Sequence, residues 1–351
     1  MRMLILIGAC IFSACSQGDS DPNRTDLRVI RPTQLRELPG EKSAELEKLP
    51  LGTALSDLGG VSRLVSSVYL NDSLFQEPWL QVQTPGRQRG WVYAATVRPS
   101  HAGTEQGRQW LLHKRMSAWF GPAMAQRWQR WTSATVPDTD TAFAQVLREG
   151  LSLRDTLRLL IARQVNRSSD TTASDFFWLG EMSPVWVVQQ MAAGHGYRLF
   201  LNFGEIQRMA KHTRGTLDDS FVQVGILSFP TDSIESLFPV WVFPTELETS
   251  CSNLGEGHHL NALLAIDQAW RAGGLFHLEL LAMKESILSD ILNRDRSYWQ
   301  SRDKILRELD AIQNTPVQCL DARDRLALAA RRNMFEAPER NGLKINLRTG
   351  I

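Results

Sequence analysis

The side chains best suited to chemistry lie in the polar segment 249–259, Thr-Ser-Cys-Ser-Asn-Leu-Gly-Glu-Gly-His-His. A cysteine becomes a strong nucleophile when a base takes its proton, so one hypothesis is that Cys251 works with a histidine base. The second hypothesis is a metal site, because carboxylates and imidazoles are common ligands of transition metals. Its candidate ligands are Glu256, His258, His259, His277 and Glu279.

The spacing of these residues favours a third, structural interpretation of the segment. Two histidines share one face of a helix when they are four residues apart, whereas His258 and His259 are adjacent and point about 100° apart. Ser252, Asn253 and Gly257 are residues of the type found at helix N-termini, where side-chain caps and tight backbone turns are needed. We therefore predict no catalytic residues, no metal and no cofactor.

Composition and motifs exclude several other functions. The 351 residues include 39 Lys plus Arg and 38 Asp plus Glu, so the net charge is +1 and no overall field favours nucleic acid. The chain has no Gly-rich phosphate loop, no G-x-S-x-G motif and no basic-aromatic stripe. Asp218 and Asp219 are adjacent and therefore do not form an acid–base pair by spacing.

The elements that must position the polar segment belong to a helix-dominated α+β domain, predicted for residues 101–351. Periodicity predicts helices at 104–131, 138–149, 152–166, 205–212, 258–271, 276–293, 296–313 and 320–332. Aromatic and β-branched runs predict one small sheet with strands at 185–188, 197–203, 221–229 and 238–243. A small ligand in an aromatic pocket near Trp178, Trp186 and Trp241 is a further hypothesis for this domain.

Residues 27–98 predict a small all-β domain, because short apolar-alternating runs are separated by turn residues. Its ordered landmarks are an Arg-x-x-Pro opening, Gly-Thr, a tryptophan strand and Gly-Trp-Val, at Arg36, Pro39, Gly52, Thr53, Trp79, Gly90, Trp91 and Val92. This order resembles the bacterial SH3 (SH3b) family. The stretch 59–77 is longer than the family usually has and is predicted to form extended strands or an inserted hairpin.

The resemblance implies an SH3-like barrel that binds cell-wall peptide or a protein partner. Trp79, Trp91 and Tyr93 are the candidate ligand-binding residues, although indoles in a small barrel more often belong to its core. SH3b domains also accompany NlpC/P60-type cell-wall peptidases, which makes an envelope hydrolase using Cys251 or a histidine-centred site the alternative function. Ser250 and Asn253 depart from the peptidase motif, and the chain after Cys251 is predicted to be helical.

The N-terminus is typical of an exported protein. Met1-Arg2-Met3 is basic, an apolar run follows, and small residues precede Cys15. This pattern resembles a bacterial lipobox, with Phe12 in place of the usual leucine. Residues 1–14 are thus predicted to be a lipoprotein signal peptide, and residues 15–26 a lipidated cysteine with a flexible tether. The expected location is the bacterial cell envelope, anchored to a membrane by lipid.

Export favours a disulfide between Cys251 and Cys319, because they are the two cysteines of the folded part and the envelope is oxidising. The alternative is two free buried thiols. An unstrained bridge between them would stabilise the fold by about 4 kcal/mol. The sequence as a whole predicts a multidomain protein, with an SH3-like barrel followed by a helix-dominated α+β domain. Its expected partners are a membrane and either peptidoglycan or an envelope protein.

Overall fold

The computed structural model describes residues 26–70, 72–133, 136–167, 176–191, 196–245 and 250–347. The predicted signal peptide, Cys15 and all of the tether except Asp26 lie outside this part of the chain. The protein divides into two compact units between Trp119 and Phe120, and each unit is considered by itself. None of the helices in the described ranges has both the length and the apolar character needed to span a membrane.

The first unit contains an antiparallel sheet of seven strands. These are β1 (Asp26–Val29), β2 (Thr33–Arg36), β3 (Glu45–Leu49), β4 (Ala54–Leu70), β5 (Ser73–Gln83), β6 (Arg89–Tyr93) and β7 (Val97–Pro99). Their order is β3-β2-β6-β5-β4-β1-β7. The all-β prediction is confirmed at this level. Within the described residues the pairing does not close into a ring, since β3 and β7 end the order.

The main hydrophobic cluster of the first unit lies on one face of this sheet, while Trp79 and Tyr93 are also buried, each 3% exposed. Val92 of β6 points toward this cluster, and Gly90 lies on the same face of the strand. A glycine is required there because β2 approaches closely: a Cβ on Gly90 would lie 2.6 Å from the carbonyl oxygen of Arg36. The buried core side chains are Leu27, Val29, Leu35, Leu49, Leu55, Leu80, Val82, Val92, Ala94 and Val97.

The long stretch 59–77 forms most of a β4–β5 hairpin, as the sequence allowed. The register shifts between Asp57 and Val61 and again between Val61 and Val65, so the hairpin contains two irregularities of the β-bulge kind. Bulges bend and twist a strand pair. The β4–β5 hairpin is therefore bent at these two irregularities.

The first unit also includes α1 (Thr104–Phe120), up to Trp119. Trp110 and Leu111 of this helix pack against the core of the sheet. The prediction of one continuous helix over 104–131 is wrong. Gly121, at φ 91°, and Pro122 separate α1 from α2 (Pro122–Thr132), because a residue before proline avoids the helical conformation.

The second unit is helix-rich and mixed α+β, as predicted. Its helices are α2, α3 (Asp140–Arg167), α4 (Trp178–Glu181), α5 (Phe203–Ala210), α6 (Leu217–Ser228), α7 (His258–Ala272), α8 (His277–Leu292), α9 (Arg302–Asn314) and α10 (Ala322–Met334). Two separate hairpins replace the single predicted sheet: β8 (Trp186–Gln190) with β9 (Tyr197–Leu201), and β10 (Val242–Pro244) with β11 (Ser250–Ser252).

Two elements of this unit differ from the prediction. The helix predicted to end at Glu149 continues through Gly150 as α3, where the glycine makes room for an indole: a Cβ there would lie 2.8 Å from Cζ2 of Trp131. The strand predicted at 221–229 is helix α6. An apolar run of this length is compatible with either a buried helix or a buried strand, so periodicity alone did not decide it.

Candidate functional site

The three aromatic residues predicted to bind a ligand lie on the face of the sheet opposite the core. Alternation along β6 places Trp91 and Tyr93 on the face away from Val92. In the β5–β6 register Trp79 is opposite Tyr93, and Gln81 is opposite Trp91. Trp79, Trp91 and Tyr93 therefore share one face of the sheet.

Trp79 and Tyr93 are in contact, with ring centroids 5.5 Å apart and planes inclined at 59°. The β4–β5 hairpin supplies hydrogen-bond acceptors for the indole N–H of Trp79 and the hydroxyl of Tyr93. The Trp79 Nε1 donates to Ser66 Oγ at 2.8 Å. The Tyr93 hydroxyl lies 2.8 Å from the carbonyl oxygens of Ser66 and Phe75. The amide of Glu77 donates to the same hydroxyl at 3.1 Å. Burial is the main reason that the pKa of Tyr93 rises to about 12.

A cleft of about 500 Å³ opens beside this aromatic pair, and we call it the aromatic cleft. Val68 and Leu70 of the hairpin line it, and Leu49 and Pro50 contribute apolar surface from the end of β3. Its remaining lining is formed by Pro32, Thr33, Gln34, Arg36, Glu41, Lys48, Trp79, Tyr93 and Thr96. Trp91 is half-buried beyond this lining and pairs with Arg36 across β2 and β6.

The charged lining of the aromatic cleft comprises Arg36, Lys48 and Glu41, with one positive charge in excess. The Arg36 guanidinium is fixed in place, because it donates to the Ser43 carbonyl oxygen at 2.6 Å and to Gln34 Oε1 at 2.5 Å. Lys48 is exposed and lies opposite Gln34 in the β2–β3 register. Such a surface suits a ligand with apolar groups and a carboxylate.

The polar segment of the second unit has a different character. Cys251 lies in β11, is 1% exposed, and its Sγ is 3.8 Å from the Phe243 carbonyl oxygen of β10. Burial raises the pKa of this thiol, which disfavours the nucleophilic thiolate.

Asp290 of α8 brings Ser252 and His259 together in the interior. Oδ2 of Asp290 accepts a hydrogen bond from Ser252 Oγ at 2.5 Å and lies 2.9 Å from His259 Nε2, while Oδ1 accepts from Arg296 Nε at 2.8 Å. A general-base histidine would stand between the hydroxyl and the carboxylate. Here both side chains bind the same oxygen, and both are 0% exposed, so the arrangement joins β11 to α7 and α8 and is closed to substrate.

Glu308 of α9 supplies the cap that the sequence suggested for this segment. Its carboxylate accepts four backbone N–H groups, from Gly255 at 2.5 Å, Gly257 at 3.0 Å, His259 at 3.0 Å and Leu260 at 3.1 Å. The first turn of a helix needs such acceptors. The structural interpretation of segment 249–259 is therefore supported, although the capping group comes from another helix and not from Ser252 or Asn253.

The candidate metal ligands lie in separate interactions. Glu256 accepts from Lys304 at 2.9 Å, Glu279 is held by Arg148 at 2.6 Å, and His277 stacks on Trp270 with centroids 3.8 Å apart. No cluster of three or more His, Cys, Asp or Glu side chains able to hold a metal occurs among the residues that the structure describes.

Cys251 and Cys319 are both free and buried in this structure, which corresponds to the alternative to the predicted disulfide. Cys251 lies on the β10–β11 hairpin, whereas the amide of Cys319 donates to Asp267 Oδ1 of α7 at 3.0 Å. Burial, with Asp267 nearby, raises the pKa of Cys319 to about 11.

A buried carboxylate that the sequence did not single out as functional is Asp218, at the start of α6. It is 0% exposed and accepts from Thr213 Oγ1 at 2.8 Å. Burial, with the neighbouring Asp140, raises its pKa to about 6. Asp140 itself accepts from the amide of Leu217 at 3.3 Å, so both carboxylates serve the entry of α6.

The three tryptophans of the aromatic-pocket hypothesis do not form one site. Trp186 stacks on Trp131 with centroids 4.9 Å apart, and Trp178 is buried in α4 with its ring centroid 6.3 Å from that of Phe120. Trp241 lines a separate cavity of about 620 Å³ in the second unit.

Sequence reasoning missed most of the aromatic cleft, including Arg36 as a cleft cation, Lys48 and the apolar wall at Val68 and Leu70. The alternation of Val68 and Leu70 with exposed Tyr69 was the available signal.

No known family model, curated protein or solved structure matches the chain.

Proposed function

We propose that this chain is a lipid-anchored envelope protein whose SH3b-like first unit binds an extended peptide in the aromatic cleft. The observation that carries the proposal is the joint placement of Trp79 and Tyr93 beside a cleft of about 500 Å³. Apolar walls and a fixed Arg36 supply what an extended peptide needs, namely pockets for side chains and a partner for a carboxylate.

Several sequence features support the anchor and the resemblance. The lipobox-like residues before Cys15 favour attachment to a membrane of the cell envelope, and acyl chains hold a domain there without a spanning helix. Gly90 of the Gly-Trp-Val motif lies where a Cβ would be only 2.6 Å from the Arg36 carbonyl oxygen of β2. A glycine at this position of the motif is thus consistent with the close packing of β2 against β6.

The ligand class follows from the charge and shape of the cleft. Peptide stems of the cell wall carry carboxylates and small apolar side chains, and the excess positive charge from Arg36 and Lys48 complements them. A protein segment of the same chemistry is the other source of such a peptide. The alternative of a hydrolase using Cys251 has less support, because that thiol is buried and its pKa is raised.

Binding of the full chain, in detergent, to isolated peptidoglycan and to acidic envelope peptides tests the proposal. Val68→Glu places a negative charge in the cleft and should weaken binding about tenfold, equivalent to about 1.4 kcal/mol. Tyr69→Glu puts the same charge one residue along, on the exposed side of the strand, and should change binding less than about twofold.

Lys48→Glu tests the charge preference separately, since it reverses one cation at the edge of the cleft without altering the apolar wall. We expect weaker binding of acidic peptides and a smaller dependence on salt. Equal binding by Val68→Glu and the unaltered chain, with both folded, would rule the cleft out as the binding site.

A further inference from the structure

The second unit contains a cavity of about 620 Å³, whose lining divides into an apolar and a charged part. The apolar part comes from α5, α6, α8 and the segment between Phe229 and Trp241. Its main side chains are Phe203, Phe221, Phe229, Leu237, Trp241 and Met283. A volume of this size lies within the roughly 300–1,000 Å³ typical of small-molecule sites.

The charged part is formed by Arg154 and Arg158 of α3 together with Arg198 of β9. Arg154 is already paired, because Nη1 donates to Glu235 Oε2 at 2.9 Å and Nε to Asp155 Oδ1 at 3.0 Å. Glu235 Oε2 also accepts the amide of Leu201 at 2.9 Å. Both of these hydrogen bonds go to Oε2, so Glu235 is held by Arg154 and by the backbone of β9.

Arg158 is only partly satisfied by the protein. One Nη donates to the Leu199 carbonyl oxygen, and the shortest approaches to carboxylates are 3.5 Å to Asp155 and 4.0 Å to Glu235. Its Nε is buried and has no hydrogen-bond partner within the described ranges. Burial, with Arg154 and Arg198 close by, also holds the pKa of Arg158 below its ordinary value.

The charges around the cavity do not balance. Arg154, Arg158 and Arg198 line the cavity together with Glu235 and Glu279, and Glu279 is taken by Arg148 in a two-point contact at 2.6 Å and 3.1 Å. Asp155 lies outside this lining and pairs with Arg154 at 3.0 Å. One guanidinium charge is thus uncompensated beside an apolar chamber. A bound anion would balance this charge and would give the buried Nε of Arg158 an acceptor.

We propose that this cavity binds an amphipathic anion, with a carboxylate or phosphate head on Arg158 and Arg198 and an apolar tail among the aromatic side chains. The guanidinium fork suits both head groups, because either offers two oxygens to parallel N–H donors. The aromatic wall accepts an alkyl tail without a specific shape. This site belongs to the second unit and does not depend on peptide binding in the aromatic cleft.

Calorimetric titration of the full chain tests this proposal with four probes that share a ten-carbon chain and are kept below their micelle concentrations: decanoate, decyl phosphate, decanol and decyltrimethylammonium. Either anion should bind at least about tenfold more tightly than the alcohol, a difference of about 1.4 kcal/mol. The cation should not bind measurably. Comparing the two anions distinguishes a carboxylate ligand from a phosphate ligand.

Two variants and a matched control locate the head group. Arg158→Gln and Arg198→Gln should each weaken anion binding about tenfold. Arg198 is exposed, so its replacement leaves the fold intact. Arg163→Gln removes an exposed arginine from the same helix and should leave binding unchanged. Failure of both anions to bind, equal binding of decanol, or an equal effect of Arg163→Gln would each overturn the proposal.

Discussion

Trp79 and Tyr93 both donate a hydrogen bond to Ser66. The Trp79 indole donates to the Oγ of Ser66 and the Tyr93 hydroxyl to the carbonyl oxygen of Ser66, each at 2.8 Å. One residue of the β4–β5 hairpin thereby holds two aromatic rings that belong to the sheet. The geometry of the aromatic cleft depends on this hairpin as well as on the rings themselves.

Tyr93→Phe should therefore lower the free energy of unfolding by about 1–3 kcal/mol, because the half-buried amide of Glu77 and two carbonyl oxygens lose a partner. Urea unfolding followed by tryptophan fluorescence measures the change. Tyr69→Phe is the control, since Tyr69 is 73% exposed and its loss of a hydroxyl should change stability by less than about 0.5 kcal/mol. Equal effects of the two variants would contradict the hydrogen bonding described for Tyr93.

Gly90→Ala should destabilise the first unit by about 1–3 kcal/mol, as overpacking does in well-packed interiors. The added Cβ would lie 2.6 Å from the Arg36 carbonyl oxygen and 2.7 Å from Leu35 Cγ. Gly86→Ala is a matched control in the β5–β6 turn, where the nearest atom to an added Cβ is 3.7 Å away. Thermal unfolding of the two variants should separate them clearly, with the lower midpoint for Gly90→Ala.

Cys251 and Cys319 should resist iodoacetamide at pH 7.5 in the native protein and react after unfolding in urea. Both thiols are buried and both have raised pKa values, so little thiolate is available. Peptide mapping by mass spectrometry without reductant measures labelling and linkage together. A peptide joining the two cysteines would contradict the free thiols of the structure, and rapid native labelling of Cys251 would revive the nucleophile hypothesis.

The free energy of unfolding of the second unit should fall as the pH rises from about 4 to about 6, because Asp218 loses its proton in this range. Its pKa is raised from 3.8 to about 6, so the folded state binds the proton more strongly than the unfolded state in this interval. The contribution is fully present below the unfolded pKa and is lost as the pH passes the folded pKa. Its size is at most about 3 kcal/mol, given about 1.4 kcal/mol for each unit.

Asp218→Asn is the variant that tests this dependence, since an amide does not titrate. The pH profile of its unfolding free energy should be flatter between pH 4 and pH 6 than that of the unaltered chain. Asp219→Asn, at the neighbouring position, should retain the original slope. An identical slope in all three proteins would show that other groups cause the pH dependence.

Local signals in the sequence were sufficient for much of the architecture. Alternation around Trp79 and Trp91 predicted the β5–β6 hairpin, and apolar periodicity predicted α7, α8 and α10 within a few residues. These elements depend on neighbours close in sequence. The boundary between α1 and α2 was missed even so, although Gly121-Pro122 is a strong local signal for a break.

Long-range packing explains most of the remaining differences. By itself, Gly150 favours the end of a helix, but in the structure it makes room for the ring of Trp131. Gly225 of α6 likewise makes room for the ring of Phe203, which would lie 2.1 Å from an added Cβ. Ser252 and His259, which bind Asp290, and the residues that line each cavity are likewise brought together from distant parts of the chain. Single-residue patterns do not contain that information.

Glu308 has a consequence for the order in which this protein folds. It lies 49 residues beyond His259, so the first turn of α7 receives its cap from a helix made much later in the chain. A segment spanning 255–272 alone would lack that acceptor, and its first turn would fray. The docking of α9 should thus complete α7, coupling two distant stretches of polypeptide in one late step of assembly.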